Sequence, residues 1–227
     1  MFIHDTVTRK VAMRKALFSL CFFLTPFVPA FFYARSAGTG FETYTASIVL
    51  GVYAFVLVCD QFILASRPGF AVKVFGTKGL LSVHMIVPVL ILALAGIHKL
   101  LKAANGFPDD SPQATLGAAA WWTFAVAVAA AVLFMANTFW LRLGIVKRLR
   151  SWVYATARLD YKKSRVLHNV TVLAALTILI HVSLASSSYF PANPVGIGLL
   201  AVWMVFSLGL YLTYRLRGRS MKGNAHE

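Results

Sequence analysis

The chain has 227 residues, 59% of them hydrophobic and 13% charged. That composition excludes an ordinary water-soluble domain. A net charge of +15 suggests nucleic acid, but the basic residues fall in blocks between long apolar runs, and that distribution argues against a nucleic-acid partner.

Six apolar runs reach the roughly 20 residues that a membrane-spanning helix needs: 16–34, 44–65, 80–101, 117–141, 164–186 and 195–214. The first follows Arg9, Lys10, Arg14 and Lys15. It is long for the hydrophobic part of a secretory signal, so it reads as a retained span. Cys21 lies in it and Cys59 in the second run. Both are expected to be small buried apolar residues, and a disulfide is not expected. The second run also holds Asp60, the one acid inside a predicted span, with Arg67 as its expected partner. Arg67–Lys78 contains Pro68, Gly69 and Gly76 and reads as a loop on the membrane surface.

The third run carries His84 and His98, with Pro88 a candidate kink. After a turn-rich loop at Asn105–Pro112, the fourth run opens with the alanine-rich stretch 117–131, whose small side chains permit close helix packing. Trp121, Trp122 and Trp140 bracket that run as expected interface anchors. The polar stretch 142–163, with Trp152–Tyr154, reads as an interfacial helix. The fifth run carries His168 and His181. A loop at Ser186–Pro194 leads to the sixth.

All but three of the 22 Lys and Arg residues precede span one, follow span six, or lie between spans two and three or four and five. Only Arg35, Lys99 and Lys102 fall on the other side. By the positive-inside rule the crowded side is cytoplasmic, as are both termini. The expected architecture is an all-α integral membrane protein of the cell membrane. A tail over 1–15 precedes a six-span bundle over 16–214, and a tail over 215–227 follows it. Anionic lipid or an acidic partner accounts for the basic face.

An ionisable ring inside a span is costly and is a functional candidate by default. The spacings here are H-x13-H (His84, His98) and H-x12-H (His168, His181). At 1.5 Å per residue the members of each pair lie roughly 20 Å apart along their helix. That is too far for one metal ion and suits two cofactors at two depths. The inner one is expected between His84 and His168, the outer between His98 and His181. Haem fits, because imidazole is a common axial ligand and the macrocycle is apolar. No CxxCH motif is present, so attachment is expected to be non-covalent, as in two haems b. Zinc fits less well, since no Cys, Asp or Glu accompanies the pairs at ligand spacing. Helix periodicity places His84 and His98 about 40° apart on one face, but His168 and His181 about 140° apart, so span five needs a local change of pitch, a bend, or rings approached from different sides. Arg67, Lys73, Lys78, Lys163 and Arg165 are candidate partners for the inner propionates. Lys99 and Lys102 either snorkel to the interface or form an electropositive rim at the outer site. His4 and His226 read as bystanders in the tails.

These motifs resemble the ferric reductase-like transmembrane domain family. That family includes ferric reductases, the membrane part of NADPH oxidases, and the bacterial haem-binding subunit of a methionine sulfoxide reductase system. Six spans, the two histidine spacings and the stretch Leu159–Asn169 carry the resemblance over roughly residues 44–214. It implies transmembrane electron transfer through two b-type haems, from a cytoplasmic flavin- or NAD(P)H-linked donor to an acceptor outside. The sequence holds no strand-GxGxxG-helix unit and no P-loop. A separate flavoprotein dehydrogenase, FMN or FAD bound on the basic face, or an external oxidoreductase partner is therefore expected. The alternatives are a quinol- or ascorbate-linked di-haem cytochrome b, and a haem-free transporter or membrane anchor. A transporter needs mid-membrane acids or broken helices to hold ions, which are scarce here.

Overall fold

The computed structural model describes residues 2–38, 40, 42–134, 142–157 and 168–217. Among them every regular element is helical: α1 (Phe2–Leu24), α2 (Phe27–Ser36), α3 (Thr43–Ser66), α4 (Gly69–Ala104), α5 (Pro112–Phe134), α6 (Gly144–Ala157), α7 (Val170–Ser183) and α8 (Pro194–Leu216). A short 3₁₀ turn at Ser186–Ser188 joins α7 to α8. Among the described residues, five helical segments are long and apolar enough to cross a membrane: Val11–Ser36, Thr43–Ser66, Gly69–Ala104, Pro112–Leu133 and Pro194–Leu216. The expected fifth span is described as the 14-residue apolar helix α7; residues 158–167 before it lie outside the described residues.

The first span is two helices joined at Thr25–Pro26. Proline lacks the N–H that would continue the ladder, and Thr25 turns its hydroxyl back to the Cys21 carbonyl at 2.6 Å. Cys59 is buried as expected, but Cys21 is exposed because its side of α1 faces away from the bundle.

α3 is the central element. It packs most extensively on α4, and also on α2 and α8. Phe55, Leu57 and Cys59 of α3 are fully buried, together with Tyr33, Leu200 and Met204 from neighbouring helices. α3 ends where Arg67 adopts the left-handed conformation (φ 50°, ψ 55°) immediately before Pro68. The following segment is not the surface loop expected from its glycines and proline. Pro68 starts a helix, where a missing N–H costs nothing, and Gly76 (φ 67°, ψ 164°) breaks that helix before the span proper. That conformation is essentially restricted to glycine. Pro88 keeps helical angles, and Gly76 is the one non-helical residue inside α4.

α5 packs closely on α7 through small side chains: Ala120, Ala127, Ala174 and Ala175 are all buried. Absence of bulk lets two backbones approach, which is how helices associate where no hydrophobic drive separates protein from lipid. The alanine-rich stretch therefore has the packing role expected of it. α6 is helical, within the stretch read as an interfacial helix. Ile145, Leu149 and Trp152 project exposed from it at helical spacing, with Lys147 and Arg148 between them.

Candidate functional site

α4 carries both His84 and His98. His181 lies on α7, and His168 two residues before that helix begins. The bundle brings the four imidazoles together as two pairs. The His84 and His168 rings have centroids 6.1 Å apart and planes at 87°. Those of His98 and His181 are 6.3 Å apart at 88°. No cluster of three or more His, Cys, Asp or Glu side chains able to hold a metal ion occurs among the described residues.

The angular conflict at span five is eased locally. Asn169 is a turn residue between His168 and α7. The Val172 N–H donates to the Asn169 carbonyl at 3.0 Å, across three residues rather than four, and the Thr171 hydroxyl donates to the His168 carbonyl at 2.7 Å. A three-residue turn rotates the chain further per residue than an α-turn, which is the direction that swings His181 toward the face of His168.

The 98/181 pair is anchored by neighbouring helices. His98 Nδ1 donates to the Ser47 carbonyl on α3 at 2.6 Å, and His181 Nδ1 donates to the Gln113 carbonyl on α5 at 2.7 Å. A carbonyl only accepts, so each Nδ1 carries the proton and each Nε2 keeps a free lone pair. Both rings line a cavity of about 510 Å³, whose walls include Phe55, Ile91, Trp121 and Phe124. That volume lies within the range of ordinary cofactor pockets. Lys99 and Lys102 stand at the cavity as well. Lys99 is exposed. The Lys102 ammonium sits over the Tyr44 ring at 4.3 Å and the Phe107 ring at 4.0 Å, two rings stacked at an interplanar angle of 2°. Lys102 acts electrostatically on both His98 and His181.

The 84/168 pair has a different setting. Nδ1 of each ring is buried and makes no hydrogen bond. Two arginines lie within electrostatic reach, Arg67 of His84 and Arg215 of His168. Lys73 is exposed on the short helical piece before Gly76, and no contact among the described residues ties it to this pair. Lys163 and Arg165 lie outside the described residues, as do Trp140 and most of Leu159–Asn169.

One expected partner is replaced. Asp60, only 3% exposed, does not pair with Arg67; its Oδ1 accepts from Trp203 Nε1 of α8 at 2.9 Å, and its Oδ2 is unpartnered. Arg67, at the left-handed end of α3, is exposed. Trp121 is half-buried. Its Nε1 donates to the Leu92 carbonyl of α4 at 3.1 Å, while Trp122 beside it is 64% exposed.

Sequence reasoning did not single out Arg215 for the 84/168 pair, nor Gly51 and Gly117 for the other. A Cβ added to Gly51 would lie 2.8 Å from His98 Nδ1, and one added to Gly117 would lie 2.8 Å from His181 Cε1. The available signal was a lone glycine in each apolar run, which marks a possible close approach. Comparison with known protein families, with curated proteins and with solved structures gives no match to this chain.

Proposed function

We propose that this chain holds two b-type haems, one at each histidine pair, and is the membrane haem subunit of an oxidoreductase that moves electrons across the bilayer. The observation that carries this reading is the spacing of the paired rings, 6.1 and 6.3 Å between centroids. An imidazole nitrogen binds a first-row metal at about 2.0–2.1 Å and lies roughly 1 Å from its own ring centre, so two imidazoles in line on one metal have centroids about 6 Å apart. The donor set agrees. Each pair offers imidazole alone, and the 98/181 rings keep Nε2 free.

His84 with His168, and His98 with His181, would each hold a haem, which would supply one-electron transfer there. The protein contributes ligation, orientation and a dry, low-dielectric setting. Arg67 and Arg215 at one depth, and Lys99 and Lys102 at the other, supply charge for the carboxylates of the porphyrin. The basic residues of α1, between α5 and α7 and after α8 support reading the 84/168 side as cytoplasmic. A flavin-linked donor on that face is the matching partner, and the acceptor lies outside.

A reduced-minus-oxidised absorbance spectrum of the purified protein tests the reading. Two b-type centres are expected, with His84→Ala and His181→Ala each removing a different one. A colourless preparation from cells well supplied with iron and porphyrin, lacking a Soret band, overturns it.

A further inference from the structure

The two outer histidines are held in the same way on two different pairs of helices. His98 of α4 donates to the Ser47 carbonyl of α3, and Gly51 follows four residues later. His181 of α7 donates to the Gln113 carbonyl of α5, and Gly117 follows four residues later. In an α-helix the carbonyl of residue i already accepts from the N–H of residue i+4. The side chain of residue i+4 leans back over the turn N-terminal to it, toward that same carbonyl. A second donor from another helix therefore reaches the carbonyl most readily where residue i+4 has little side chain.

We propose that Gly51 and Gly117 are positioning residues that expose the Ser47 and Gln113 carbonyls to the two rings, and so make each ring present Nε2 to the cavity. This rests on the cavity being a haem site. The fit is close. A Cβ at Gly51 would stand 2.8 Å from Nδ1 and 2.9 Å from Cε1 of His98. A Cβ at Gly117 would stand 2.8 Å from Cε1 and 2.9 Å from Nδ1 of His181. Both rings would have to move, and the hydrogen bond that fixes the tautomer moves with them. Gly209 of α8 is a contrast, because a Cβ there would meet nothing within 4 Å.

A ligand imidazole that donates its other N–H to a carbonyl is more basic, and a more basic ligand favours the oxidised metal. Losing that bond raises the midpoint potential of the outer centre or empties it. The inner centre uses neither glycine.

Gly51→Ala and Gly117→Ala are compared with Gly209→Ala by spectroelectrochemical titration. The expected result is loss or upward shift of the outer centre alone in the first two variants, and wild-type behaviour in the third. Nitrogen-15 NMR of the imidazoles, in full-length protein from porphyrin-depleted cells, reads the tautomer without haem. Nδ1–H at His98 and His181 is expected in the wild type, with His98 perturbed by Gly51→Ala and His181 by Gly117→Ala. Wild-type tautomers and potentials in both variants would overturn the proposal. Loss of both centres in both variants, with Gly209→Ala intact, would also overturn it, since the glycines would then serve general packing. A haem-free wild type whose tautomers shift as expected would remove the functional reading and leave the positioning role standing.

Discussion

The two histidine pairs share their geometry and differ in almost everything around it. Centroid spacing and ring angle agree within 0.2 Å and 1°. Yet the 98/181 rings are tied to backbone carbonyls of α3 and α5, whereas the Nδ1 atoms of the 84/168 rings make no such bond. A caged lysine attends the first pair and two arginines attend the second. On the proposed reading, equal rings in unequal surroundings give two centres that bind and titrate independently, because the groups hydrogen-bonded to a metal's ligands tune the site nearly as much as the ligands do.

Independence is broken most directly by removing a ligand. His168→Ala is expected to abolish the inner centre and leave the outer spectrum unchanged, as measured by the difference spectrum. Simultaneous loss of both would mean that the two sites assemble as one unit.

A smaller effect separates two interhelical polar contacts. Trp203→Phe strips Asp60 of its one hydrogen bond inside a buried setting, and leaving such a group unsatisfied costs about 1–3 kcal/mol. Tyr33→Phe removes the 3.0 Å contact with Ser188, whose hydroxyl is only half-buried, and should cost about 1 kcal/mol. Thermal unfolding in detergent should therefore rank Trp203→Phe as the less stable; the reverse order would mean that Asp60 finds another partner.

Smaller still are the charge effects. A cation near a metal centre favours its reduced form. Lys102→Gln should lower the midpoint potential of the outer centre alone, and Arg67→Gln that of the inner centre alone. Equal shifts of both centres in either variant would show that these charges act through the general field of the protein. The finest test is electron paramagnetic resonance of the oxidised protein. Near-perpendicular axial rings leave the iron d-orbitals close in energy and give a strongly anisotropic low-spin signal. Both centres should show it, and a rhombic signal from one would mean that its rings turn toward parallel on binding.

Membrane class, the positions of five long apolar helices and the four histidines were legible in the chain, because apolar runs and an ionisable ring inside them are local signals. The partners of those residues were not. Asp60 and Arg67 are seven residues apart, which suggested a pair, but Arg67 sits in a left-handed turn at the helix end and Trp203 reaches Asp60 from α8 instead. The glycine and proline content of 67–78 read as loop, yet the same residues start a helix at Pro68 and hinge it at Gly76.

The linear pattern thus specified which side chains enter the bundle and at what depth, since hydropathy and helical rise depend only on residue order. Tertiary packing chose what each ring touches. For His98 and His181 those contacts are the Ser47 and Gln113 backbone carbonyls, which depend on how α3, α4, α5 and α7 dock, and no residue type in the chain encodes a neighbour's carbonyl.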